Sequence, residues 1–208
     1  LFVCRNHIPR SAWPERDEGD GRLRVGFMGS PSHVWDINMA YPALHDARAL
    51  TGAEIVMVGY NPADPDDIPD EYKVNGEDVQ IRTEKSRLYR DNWRGVVDRH
   101  IKWIDPGEYR RASLPLDIGL APISTANDFT LGKSDAKALE YTISGAACIL
   151  SGAGIYGAAG WKHEVNCLMA STPEDYAHAV VRLVNAPKLR YELVSAAQEM
   201  VANERNEL

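Results

Sequence analysis

The residues best suited to chemistry stand where apolar runs give way to loops. Residues 23–29, LRVGFMG, are followed by Gly29-Ser30-Pro31-Ser32-His33. A glycine here permits close backbone approach, and free amide groups can meet a phosphate; the alternative is a plain tight turn. Further on, Asn127-Asp128-Phe129-Thr130-Leu131-Gly132-Lys133-Ser134 leads directly into Asp135-Ala136-Lys137-Ala138-Leu139-Glu140-Tyr141. At about 100° per residue, Lys133, Lys137 and Glu140 fall on one narrow helical face, while Ala136, Leu139 and Ile143 define another that can face a sheet. Two lysines four apart repel by a few tenths of a kcal/mol (~0.2–0.5), so an anion held between them turns a cost into a gain. The alternative is a solvated face with a Lys137–Glu140 ion pair.

A third junction, Gly152-Ala153-Gly154-Ile155-Tyr156-Gly157, is a literal G-x-G-x-x-G. A dinucleotide fingerprint needs its last glycine to open a full helix after the first strand. Here only residues 158–165 separate it from the next strand, so a glycine-rich loop beside a bulky ligand explains it at least as well. No G-x-S-x-G elbow or H-E-x-x-H helix occurs, and the six histidines lack ligand spacing. His45, His100 and His178 read as structural, and the five tryptophans as packing residues. Asp64, Asp66 and Asp67 come nearest to a metal cluster but sit in a proline-rich loop, so no metal site is expected.

Such junctions cooperate only if a sheet brings them to one edge. Apolar runs predict strands at residues 23–29, 53–60, 100–104, 117–123, 147–151 and 166–170. Helical spacing predicts helices at 36–50, 88–98, 108–113 and 134–144, then two closing helices that begin at Thr172-Pro173-Glu174 and near Pro187. Asn75-Gly76 marks a small hairpin excursion near 72–81. This alternation implies an α/β fold, a Rossmann-like doubly wound parallel sheet with its ligand crevice at the strands' carboxyl ends. Residues 1–21, apolar through LFVCRNHI and then polar, read as an interdomain crossing segment and linker, and residues 22–208 as one domain.

The composition fits that reading. With 208 residues, 44% hydrophobic and 25% charged, one buried core is affordable without a disulfide framework. Cys4, Cys148 and Cys167 read as reduced thiols. A net charge of −7, with 30 acids against 23 bases, argues against a broad nucleic-acid surface but allows a small anion in a local basic pocket. No apolar run of about 18 residues is present to form a transmembrane segment.

From about Leu23 onward the chain resembles the carboxyl-terminal domain of the GT-B-fold glycosyltransferases known as glycosyl transferases group 1. LRVGFMG, DIGLAPI, KSDAKALEY, SGAACILS, HEVNCLMA and TPEDYAHAVVRLV carry the likeness. KSDAKALEY followed by SGAACILS is the most specific part. It resembles the family's lysine-serine helix with a ribose-binding glutamate, followed by a small-residue turn and a strand.

The resemblance implies a nucleotide-sugar donor-binding domain of a retaining, hexosyltransferase-like enzyme with no obligatory metal and no cofactor beyond the nucleoside-diphosphate sugar. Glu140 would take the ribose hydroxyls, Lys133 and Ser134 would lie near the pyrophosphate, and Lys137 would support them. Gly29, Ser30 and His33 would face the phosphates from the other side, and Gly154 would approach the sugar or base. The family's second glutamate, eight positions before the ribose-binding one, is Gly132 here, with Asp128 as a substitute. Lys133 and Asp128 are the candidate catalytic residues. The implied partner is an amino-terminal acceptor-binding domain outside these residues, without which the isolated chain is expected to be inactive. The implied location is cytoplasmic, peripheral to a membrane through that domain. Two other classes stand beside this reading: a noncatalytic nucleotide-sugar-binding module, and a dinucleotide-binding oxidoreductase domain resting on GAGIYG.

Overall fold

A computed structural model of the protein describes residues 6–15, 20–30, 33–64, 71–74, 77–80, 91–102, 114–124, 132–152 and 154–205. The apolar runs form parallel strands because both of their faces are covered. β1 (Arg24–Gly29), β2 (Glu54–Gly59), β6 (Ile118–Ala121) and β7 (Ala147–Ser151) are buried at every residue, as central strands of an α/β sheet must be. The short strands β5 (Arg99–Ile101) and β8 (Leu168–Ala170) take the two edges, giving the order β5-β2-β1-β6-β7-β8 with every pairing parallel. The chain winds one way from β1 and the other way from β6, so the doubly wound architecture is as expected. β3 (Glu71–Val74) and β4 (Glu77–Gln80) pair antiparallel as a separate hairpin, in the place that Asn75-Gly76 marks.

Alternate strand residues serve opposite layers. Val25, Phe27, Ile55, Met57 and Ile149 join one core with Ile37, Leu44, Val180 and Leu183. Met28, Val56, Val58, Cys148 and Leu150 join the other with Leu139, Tyr141, Ala197 and Val201. The helices behind these layers are α1 (Val34–Thr51), α2 (Ala136–Ile143), α3 (Gly154–Ala158), α4 (Pro173–Asn185) and α5 (Pro187–Glu204). α1 stops at Gly52, whose φ of 69° lets its amide close onto the Arg48 carbonyl. α4 starts at a capping box in which Thr172 and Asp175 satisfy each other's backbone amides. Cys148 and Cys167 are free and buried, and burial pushes both thiols up to about 12. Among the described residues no helix is long and apolar enough to cross a membrane.

Several boundaries differ from the sequence expectation. α2 begins at Ala136, not Ser134, because Asp135 holds the N-cap position. The strand read as 100–104 is Arg99–Ile101. Within the crossing segment and linker a single 3-10 turn covers Arg10–Ala12. Helix is described at residues 91–94 of the expected 88–98. The expected helix at 108–113, Asp128, and residues 1–5 of the crossing segment lie outside the described residues.

Candidate functional site

β1 and β6 are neighbours at the point where the strand order reverses, and their carboxyl ends open the crevice in which such sheets hold ligands. Three segments converge there. The first leaves β1 at Gly29 and Ser30, where the Ser30 carbonyl accepts the His33 amide at 3.0 Å, and His33 is the N-cap residue of α1. The second leaves β6 and reaches Ser124. The third brings Lys133 in ahead of α2, which carries Lys137 and Glu140.

A buried carboxylate ties the three together. Asp36, in the first turn of α1 and 1% exposed, accepts the Ser124 amide at 2.7 Å through Oδ1. Its Oδ2 lies 2.6 Å from His33 Nδ1 and is also bonded by the Lys133 ammonium. Burial by itself raises the Asp36 carboxyl, but the bonds from His33, Lys133 and the Ser124 amide outweigh it and hold the group below the usual carboxylate range. His33 is shifted down, mainly by burial and further by Lys137 and Lys133, against the opposing pull of Asp36.

Lys137 is in the opposite condition. Its stem is partly exposed, yet its ammonium is buried and has no hydrogen-bond partner; it stands 4.3 Å from the centre of the Phe27 ring. Burial, reinforced by Lys133 and opposed by Asp36 and Glu140, pushes it down to about 7. A ring face offsets part of the desolvation of a cation but supplies no acceptor for its three N–H groups. At the N-terminus of α2 the Asp135 side chain makes no cap bond and goes to Arg205 and Trp161 instead.

α2 is held against both strands by Tyr141. Its hydroxyl accepts the Met28 amide at 2.9 Å and donates to the Leu120 carbonyl at 2.9 Å. Its ring fills the space over Gly119, where a Cβ would stand 2.6 Å from ring carbons. Tyr141→Phe removes both of these buried hydrogen bonds, so a loss of about 1–3 kcal/mol is expected in urea denaturation.

The structure thus brings Gly29, Ser30, His33, Lys133 and Lys137 together at the carboxyl ends of β1 and β6, with Glu140 in electrostatic reach of Lys137, but not in the geometry expected. Lys133 is in the loop before α2, not on its face, because the helix starts three residues later. The buried face of α2 is Ala138, Leu139, Tyr141 and Thr142, in place of Ala136, Leu139 and Ile143. The Lys137 ammonium is buried where one alternative had it solvated. Ser134 is exposed. Gly154 opens the five-residue α3 and has nothing within 4 Å of a Cβ built on it. Helix α3 is too short to support a dinucleotide pyrophosphate in the way that motif requires. Asp36 was missed, although an acid three residues after a loop histidine at a helix start is a recognisable first-turn signal. A separate cavity of about 290 Å³ beside β8 and α4, with His163, Asp175, His178 and Arg182 in its wall, includes none of the expected residues. Among the described residues, no group of His, Cys, Asp and Glu is placed to hold a metal ion.

A six-stranded parallel sheet wound both ways from β1 and β6 and covered by helices on both faces defines a Rossmann-like α/β fold. Solved structures narrow this. The Anabaena protein HepE, in complex with UDP-glucose, superposes with a TM-score of 0.68 at 15% identity, covering 99% of this chain and 53% of HepE. The C-terminal domain of the glycosyl transferase group 1 family protein LpcC from Francisella tularensis matches at a TM-score of 0.61 and 16% identity, covering 95% of this chain and 97% of that domain. Sucrose-phosphate synthase from Thermosynechococcus elongatus matches at 0.60 and 15%, over 97% of this chain and 47% of the enzyme. No protein-family model and no curated protein sequence matches the chain. The chain therefore has the fold of the carboxyl-terminal GT-B domain of group 1 glycosyltransferases, and it spans about half the length of HepE and of the synthase.

Proposed function

We propose that this domain binds the diphosphate of a nucleotide sugar and is the donor half of a retaining glycosyltransferase. The carrying observation is the Lys137 ammonium, buried without a hydrogen-bond acceptor beside Lys133, on the first turn of a helix whose N-cap side chain makes no cap bond. A buried cation is costly unless something pairs with it. A pyrophosphate at the crevice supplies the missing acceptors, and helix N-termini favour anions. The binding of UDP-glucose by HepE, on the same fold, supports this choice of ligand.

On this reading Lys137 and Lys133 face the pyrophosphate, with Ser134 nearby and Gly29, Ser30 and His33 on the opposite wall. Glu140 accepts from the ribose hydroxyls, Gly154 lies toward the sugar or base, and Asp128 supplies a second carboxylate. Negative charge grows on the leaving diphosphate as the glycosidic bond breaks, so fixed cations aimed there stabilise the transition state more than the ground state. Binding requires no divalent metal, since the lysines do the neutralising. Transfer itself requires an acceptor-binding domain, whose closure excludes water and aligns the reactants.

Calorimetric titration with uridine, UDP, GDP and ADP tests the reading. One of the three diphosphates is expected to bind, and Glu140→Ala to weaken it about 10- to 150-fold, the equivalent of one charged hydrogen bond of about 1.5–3 kcal/mol. No binding of any of them at millimolar concentration, or an unaltered Glu140→Ala variant, sinks the proposal.

A further inference from the structure

We propose that Asp36 is the positioning residue of this site: its buried carboxylate fixes the place and the protonation of the groups that a ligand phosphate meets. The inference rests on the donor-binding reading for the identity of the ligand, but its geometric part does not.

The carboxylate is the meeting point of α1, the segment after β6 and the segment before α2, through His33, the Ser124 amide and Lys133 respectively. A plain structural ion pair with Lys133 would need only one of these. The bond to His33 also decides a tautomer. A separation of 2.6 Å between Nδ1 and an ionised carboxylate oxygen requires the proton on Nδ1. Lys133 Nζ, 3.1 Å from the same nitrogen, then cannot donate to it, and its proton goes to Asp36. His33 Nε2 is left as the ring's other face. It makes no hydrogen bond among the described residues, and the partly exposed ring reaches the crevice wall beside Gly29. A neutral His33 offers a lone pair there, and a protonated one offers an N–H to phosphate with Asp36 balancing its charge.

The same carboxylate also acts on Lys137, opposing the burial that pushes its ammonium down. The charged and titratable groups that act on Lys137 are Asp36 from α1, Lys133 from the preceding loop and Glu140 on its own helix, with the Phe27 ring of β1 beneath it. Those acting on His33 are Asp36, Lys137 and Lys133. Asp36 is the shared anion in both sets. Without it, three neighbouring nitrogen bases oppose one another's protonation, and the site sheds the positive charge that an anion needs.

The experiment uses the Asp36→Asn variant, which keeps the shape and removes the charge. Nitrogen-15 NMR of the imidazoles reads the tautomer in the ligand-free protein, and titration with inorganic pyrophosphate from pH 6 to 9 reads the consequence. His33 is expected to carry its proton on Nδ1 in the wild type and to lose that preference in Asp36→Asn. Pyrophosphate affinity is expected to fall about tenfold near pH 7.5, with the alkaline limb of its pH profile moving down by about one pH unit. A merely structural role would lower stability and leave that limb in place. Wild-type His33 protonated on Nε2, or an unchanged pH profile in the variant, overturns the proposal. Should Asp36→Asn not fold, Lys133→Gln serves: with Asp36 kept, the Nδ1 tautomer is expected to persist, and its loss overturns the proposal equally. A fixed tautomer that depends on Asp36, in a protein that binds neither pyrophosphate nor any nucleoside diphosphate, supports the positioning role and sinks the donor-binding reading instead.

Discussion

Lys137→Met is expected to make the free protein more stable and to remove its affinity for a diphosphate. Methionine matches the lysine stem in volume and has no charge to desolvate, and replacing a buried charge with apolar atoms commonly gains about 1–4 kcal/mol. A gain of about 1 kcal/mol corresponds to about 2–4 °C in melting temperature for a chain of this size. The sign follows from the shift: Lys137 titrates at about 7 in the fold against 10.5 for a free lysine. Between those values the unfolded chain holds a proton that the folded one lacks, so the wild type gains stability as pH rises through this window. The advantage of Lys137→Met is therefore largest below pH 7 and fades toward pH 10.5.

Binding runs the other way. A diphosphate that pairs with Lys137 restores its proton, so the wild type is expected to take up protons on binding near neutral pH, and more of them at pH 8 than at pH 6. Calorimetry in buffers of different ionisation enthalpy measures this uptake, and Lys137→Met should show none. A variant that is less stable than the wild type at pH 6, or one that still binds with proton uptake, contradicts the assignment. A residue that lowers the stability of the free fold and is indispensable to binding is hard to explain as packing.

The second large effect concerns the base of α2. Asp135 accepts from Arg205 at 3.1 Å, from Trp161 Nε1 at 3.2 Å and from Asn6 at 3.3 Å. Arg205 is fully buried and also donates to the carbonyls of Asn6 and Ala159, while its own carbonyl accepts the Ile8 amide. Asp135→Ala strands this guanidinium without its carboxylate, and breaking a buried pair from one side costs about 3–5 kcal/mol. A fall of about 10 °C in melting temperature is expected, being several kcal/mol at about 2–4 °C each. The double variant Asp135→Leu with Arg205→Met is expected to recover most of it. If Asp135→Ala melts within about 2 °C of the wild type, the pair does not hold the helix base.

Much of this molecule was legible in local pattern. LRVGFMG, EIVMVG and ACILS are continuous apolar runs, and only a strand covered on both faces uses such runs at that length. The Thr172-Pro173 start of α4 and the hairpin at Asn75-Gly76 declare themselves in single dipeptides because capping and turn chemistry are local. Lys133, Lys137 and Glu140 could be grouped because few residues separate them. The start of α2 could not be placed from its sequence. Ser134 and Asp135 are both good caps, and the position of the helix depends on where the Asp135 carboxylate is drawn, which is toward Arg205, 70 residues away.

The place of Asp36 in the first turn of α1 is local, but its meeting with the other segments belongs to tertiary structure. Its partners Ser124 and Lys133 are 88 and 97 residues distant and reach it because β6 pairs with β1 instead of with β5. No periodicity encodes that choice; it emerges when two wings of the sheet bury their faces under helices on both sides. The burial of the Lys137 ammonium has the same origin. Sequence determined that a lysine would stand on this helix, and the packing of α2 against Phe27, held in place by Tyr141, decided that its charge would be out of water with no acceptor in reach.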